Sequence, residues 1–159
     1  MDSISKKCID AMLNYSSMSK VFDIEESMLK EHQIQLKVEH YFSDGICARA
    51  LHIPKGTLLT GRIHKFNNLN ILSLGSMLVI GDHENVHALA GAHICSKVGT
   101  KRIALALEDC IWTTLIPTKE TDVKIIEDMF TTNDEKEYCF EKGIIDMNLN
   151  EIVHLKKVG

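Results

Sequence analysis

Turn-forming residues recur through the middle of the chain: Asp44-Gly45, Pro54-Lys55-Gly56, Leu74-Gly75, Gly81-Asp82, Gly91 and Lys97-Val98-Gly99-Thr100. They are mostly spaced at roughly 8–12 residues, and the runs between them are rich in β-branched and other apolar side chains. Such a pattern predicts about eight short strands in a sandwich or barrel, rather than strands alternating with helices. Upstream, Ile34, Leu36, Val38, His40 and Phe42 alternate with polar residues, the two-residue repeat of a half-buried strand.

The flanks read differently. Ile4, Cys8, Ile9, Met12 and Leu13 fall on one stripe at helical spacing, and residues 24–31 are strong helix formers. Beyond the strands, Thr118 or Asp122 can cap a helix whose apolar edge is Val123, Ile126 and Met129 or Phe130. Residues 135–159 alternate weakly around Tyr138, Phe140, Ile144, Ile145, Ile152 and Leu155, as an extra strand pair or an arm would. A length of 159 residues suits one domain with one core. The expected division is a helical N-terminal arm (1–33), a barrel (34–117), and a closing helix with a C-terminal tail (118–159) in the same domain.

Charge and cysteine usage narrow the setting. The net charge is −4 without a block of like charges, which gives no general attraction to nucleic acid or anionic lipid. No stretch resembles a secretory h-region or a membrane span, so the expected location is cytoplasmic. Five cysteines without a CxxC spacing suit reduced core fillers better than a disulfide framework. The apolar N-terminal stripe and the open edges of such a sheet predict a homo-oligomer, most simply a dimer.

Two stretches, VEHYFSDGICARALHIPKGTLLTGRIHKFNNLNILSLGSM (38–77) and VGTKRIALALEDCIWTTLIPTKETD (98–122), carry a family resemblance. Pro54, Gly56, Thr57, Gly61, His64 and Gly75 match one motif, and Gly99, Thr100, Arg102, Trp112, Thr113 and Thr114 match a second. Together they resemble the small bacteriophage-type cupins, over about half the chain. The resemblance implies a mostly β, cupin-like double-stranded β-helix, an RmlC-like jelly-roll barrel. It also implies a phage-encoded protein of the host cytoplasm or the virion. In that family three histidines and a carboxylate hold a metal, an arrangement that suits Fe, Mn, Ni or Zn. Here His64 stands at a ligand position, but Asn67 and Asn68 replace a Glu-His pair, Arg102 replaces the second motif's histidine, and Ile116 replaces another. Amide, guanidinium and alkyl groups are no substitutes, so no metal cofactor is expected. His83 and His87 on one strand would lie about 13 Å apart, too far for one ion.

Strand parity indicates what faces inward. With Arg102 inward, so are Ala104, Ala106, Glu108, Cys110, Trp112, Thr114 and Ile116. His64 shares parity with Arg62, Thr60 and Leu58, and Arg49 with Cys47, Leu51 and Ile53. The candidate ligand-binding residues are therefore Arg49, Arg62, His64, Asn68, Arg102, Glu108, Trp112 and Thr114. Arg102 either pairs with Glu108 in the wall or meets an anionic ligand, and Trp112 either anchors the core or stacks on that ligand. His64 and Glu108 could form a dyad, but no tyrosine joins them, and neither G-x-S-x-G nor a glycine-rich phosphate loop is present. No catalytic residue is assigned. In order, the sequence supports a non-catalytic structural or protein-partner-binding module, a binder of a small anionic ligand or nucleotide signal, and a metal-dependent enzyme acting on a sugar or small acid.

Overall fold

The computed structural model describes residues 18–81 and 85–133. Eleven strands form two facing antiparallel sheets and one small ladder. The first sheet, in spatial order, holds β1 (Lys37–Ser43), β2 (Ile46–Ile53), β10 (Cys110–Pro117), β5 (Asn68–Leu74) and β8 (His93–Ser96). The second holds β3 (Leu58–Thr60), β9 (Arg102–Ala106), β6 (Ser76–Gly81) and β7 (Asn85–Leu89). The two-residue strands β4 (Ile63–His64) and β11 (Thr131–Thr132) pair with each other. This is the mostly β jelly-roll barrel expected, with more strands than about eight because Gly61-Arg62 splits one run and β11 adds a rung.

Glycine fixes two of the corners. Gly45, at φ 76°, closes the two-residue turn that brings Ser43 opposite Ile46. Gly75, at φ 83°, is the single residue between β5 and β6, where the chain passes from one sheet to the other. A Cβ there would collide with the Asp109 carbonyl oxygen and lie 2.8 Å from Cys110 Sγ.

The sheets enclose Ile53, Leu72, Ile94 and Cys110 from one side and Met77, Val79, Ala88 and Ala106 from the other. β1 begins at Lys37, later than the alternation from Ile34 suggests. Its apolar residues Val38 and Phe42 stay exposed, because β1 is the sheet edge and overhangs the barrel.

Helix α1 (Met18–Met28) covers the outer face of the second sheet, where Val21 and Ile24 pack on Ile80, Ile103, Leu58 and Leu105. A buried ion pair fixes its position. Lys101 is fully buried, its Nζ donating to Glu25 Oε1 (3.0 Å) and to the Gly61 carbonyl (2.9 Å) while lying 4.7 Å from the Phe22 ring centroid. Thr60 Oγ1 also donates to Glu25 Oε1, at 2.6 Å. Helix α2 (Val123–Phe130) starts at Asp122, whose carboxylate accepts from the Lys124 and Ile125 amides, the capping role expected of it. Ile126 and Phe130 face inward while Met129 is exposed, which resolves the sequence alternative for the apolar edge. Among the described residues no helix is long and apolar enough to cross a membrane. The N-terminal stripe at 4–13, the tail at 135–159 and His83 lie outside the described residues.

The Lys101–Glu25 pair generates a stability prediction. Glu25→Ala strands a buried ammonium and should cost about 3 kcal/mol in a denaturant melt. Adding Lys101→Met should recover most of that loss. A Glu25→Ala melt indistinguishable from wild type would show that the pair does not hold α1.

Candidate functional site

Cross-strand register sorts the inward side chains into levels. Arg49 of β2 sits opposite Thr114 of β10, and Thr114 opposite Asn70 of β5. Nearer the Ile53–Cys110 end of the same strands, Leu51 sits opposite Trp112 and Trp112 opposite Leu72. On the facing sheet Arg102 lies opposite Gly81, and Ala104 opposite both Val79 and Leu59. A polar belt therefore rings the barrel above an apolar floor. Together they bound a cavity of about 250 Å³, which α2 borders with Ile126, Glu127 and Phe130.

The belt is wired by side-chain hydrogen bonds. Thr114 Oγ1 donates to Asn70 Oδ1 (2.7 Å), and Asn70 Nδ2 donates to Ser96 Oγ (2.6 Å) and Asn68 Oδ1 (2.9 Å). Arg102 Nη1 donates to Ser96 Oγ, and Asn68 Nδ2 donates to His64 Nδ1. With Nδ1 accepting, the neutral imidazole carries its proton on Nε2. Burial, then the positive charge of Arg102 and of Arg49, push the His64 pKa down to about 4.

Three guanidinium groups line this space, and Glu127 is the one carboxylate lining it among the described residues. Glu127 Oε1 lies 3.9 Å from Arg49 Nε, a loose pair, and the Arg49 pKa is lowered by burial more than Glu127 raises it. Arg62 Nε is buried and meets no hydrogen-bond partner among the described residues. A buried donor left in this state carries its full desolvation cost, and each such group calls for an explanation.

Six of the predicted residues line the cavity together: Arg49, Arg62, His64, Arg102, Trp112 and Thr114. Asn68 reaches it through its bonds to His64 and Asn70. Glu108 does not belong to the site. Strand β9 ends at Ala106, and Glu108 sits exposed on the turn before β10, so strand parity no longer applies to it. Among the described residues no ion pair joins Arg102 to Glu108, and the His64–Glu108 dyad falls with it; Arg102 is bonded to Ser96 instead. Parity also fails at Gly61, because Leu59 faces the cavity whereas Leu58 packs toward α1.

Sequence reasoning missed Asn70, Ser96 and Glu127. Asn70 shares parity with Asn68 and could have been read; Ser96 and Glu127 become visible only once β8 and α2 are placed. Outside the cavity, His52 Nε2 lies 2.6 Å from Glu39 Oε2. Lys37 holds the other oxygen of Glu39, and these bonds, Lys37 first, lower the Glu39 pKa to about 2. His87 is exposed and bonded to Ser76 Oγ at 2.8 Å. Cys47 and Cys110 are buried, with burial raising their thiol pKa values, but Cys95 is exposed and is no core filler.

The donors present do not fit a metal. His64 is the one imidazole lining the cavity among the described residues, and its neighbours are two guanidinium groups and two amides. No group of three or more His, Cys, Asp or Glu among the described residues is placed to hold an ion.

No protein-family model matches the sequence, and no curated protein matches it. Solved structures are similar at low identity. The plu4264 protein of Photorhabdus luminescens has a TM-score of 0.48 at 14% identity, over 62% of this chain and 88% of its own. KdgF from a Halomonas species has a TM-score of 0.46 at 13% identity, over 56% and 86%. A cupin superfamily protein of Desulfitobacterium hafniense has a TM-score of 0.46 at 8% identity, over 58% and 86%. The jelly-roll assignment itself rests on the strand order and register of this chain.

Proposed function

We propose that the barrel is a receptor for a small anion, held by Arg49, Arg62, Arg102 and His64. The observation that carries this reading is the lining itself: three guanidinium groups and the His64 imidazole line one cavity, against a single carboxylate, Glu127, among the described residues. A planar guanidinium presents its donors in a fork that matches a carboxylate or phosphate. The neutral His64 offers a further Nε2–H. The protein-partner reading finds its motive in residues 4–13 and 135–159, whereas the ligand reading rests on the wall just described. The protein is then a phage-type cupin-like protein of the host cytoplasm, as the resemblance implies, and a homo-oligomer, as the apolar stripe at 4–13 and the open sheet edges suggest. At about 250 Å³ the cavity favours an anion smaller than a whole nucleotide.

Two measurements test it. Arg62→Met keeps the bulk of the side chain and deletes the unmet donor. The empty variant should therefore be more stable than wild type by about 1–3 kcal/mol, yet lose the rise in melting temperature that wild type shows in millimolar sulfate against chloride at matched ionic strength. A variant that is less stable and still responds to sulfate would refute the role.

The second measurement concerns pH. His64 is neutral at pH 7 because its pKa lies near 4, and a bound anion raises that pKa. Binding is then accompanied by proton uptake, so affinity rises as pH falls. Sulfate affinity by calorimetry should strengthen between pH 7 and pH 5, by at most about tenfold per unit, and should lose that slope in His64→Gln. A flat profile in wild type would contradict the assignment of His64.

A further inference from the structure

We infer that the ligand is an amphipathic anion, a single acidic head on a compact apolar body; this deepens the receptor reading and rests on it. The head is placed by the belt, where the arginines and His64 supply donors at one level of the barrel. The body is placed by the next level. There Leu51, Leu59, Val79, Ala104 and Trp112 line the cavity without a charged group among them.

Hydrogen bonding separates the two levels further. The amide and hydroxyl oxygens that wire the belt each already receive a bond: Asn70 Oδ1 from Thr114, Asn68 Oδ1 from Asn70, and Ser96 Oγ from both Asn70 and Arg102. At the next level no acceptor side chain stands among Leu51, Leu59, Val79, Ala104 and Trp112, so a sugar-like body seated there would bury hydroxyl donors beside a wall that cannot accept them. An apolar body loses nothing there and gains contact with Trp112 and its aliphatic neighbours.

Size sets the upper limit. An apolar cavity of about 150 Å³ takes up one benzene, so 250 Å³ suits a single ring or short branched chain together with one acidic group. The small side chain of Ala104, between Val79 and Leu59, leaves that room open.

Calorimetry on the full chain with a matched set of probes tests this. 3-Phenylpropionate should bind at least about thirtyfold more tightly than acetate, which lacks the body, and than 3-phenylpropanol, which lacks the charge; gluconate should bind no better than acetate. Ala104→Leu should lower the ratio of 3-phenylpropionate to sulfate affinity by about tenfold. Equal affinities for 3-phenylpropionate and acetate, or tighter binding of gluconate, would overturn the amphipathic inference while sulfate binding preserved the anion receptor. Failure of sulfate and of every carboxylate to bind would remove both.

Discussion

Positive charge enclosed by a β barrel is the constraint on which the rest of this structure depends. A guanidinium taken out of water needs acceptors, and burying it unpaired costs more than a folded domain of this size has to spare. The barrel meets that demand only in part. Arg49 has a loose contact with Glu127, and Arg62 Nε meets no acceptor among the described residues. The polar belt of Thr114, Asn70, Ser96 and Asn68 orients these groups but adds no compensating charge.

The scaffold that holds the arginines is shared with the helix latch. Lys101 and Arg102 are consecutive and point to opposite sides of the second sheet, one into the contact with α1 and the other into the cavity. Gly61 joins both sides: its carbonyl accepts from Lys101 Nζ, and its amide donates to the Arg102 carbonyl at 2.9 Å. Arg62 follows directly. The Glu25–Lys101–Gly61 bonds therefore join α1 to the backbone from which two of the three cavity arginines project.

Much of this architecture was legible in the sequence because strands write their facing into a two-residue repeat. From Cys110 to Pro117 the repeat placed Trp112, Thr114 and Ile116 inward, as they are. It failed where the strand stopped: at Glu108, on a turn, and at Gly61, where the chain breaks between β3 and β4. Parity also cannot say which strands become neighbours, so the belt through Asn70 and Ser96 and the approach of Glu127 on α2 required the assembled sheets. Lys101 reads as a surface lysine in Gly-Thr-Lys-Arg, and only the tertiary fold shows it buried against Glu25 and Phe22.

The central claim, that the cavity arginines receive an anion, can be observed by following arginine Nε–Hε resonances in ¹⁵N-labelled protein while a small anion is added. The signal missing from Arg62→Lys identifies Arg62. The account predicts that this resonance moves downfield and becomes slower to exchange with water as 3-phenylpropionate or sulfate saturates the cavity. An Arg62 resonance unchanged at saturating anion would contradict it.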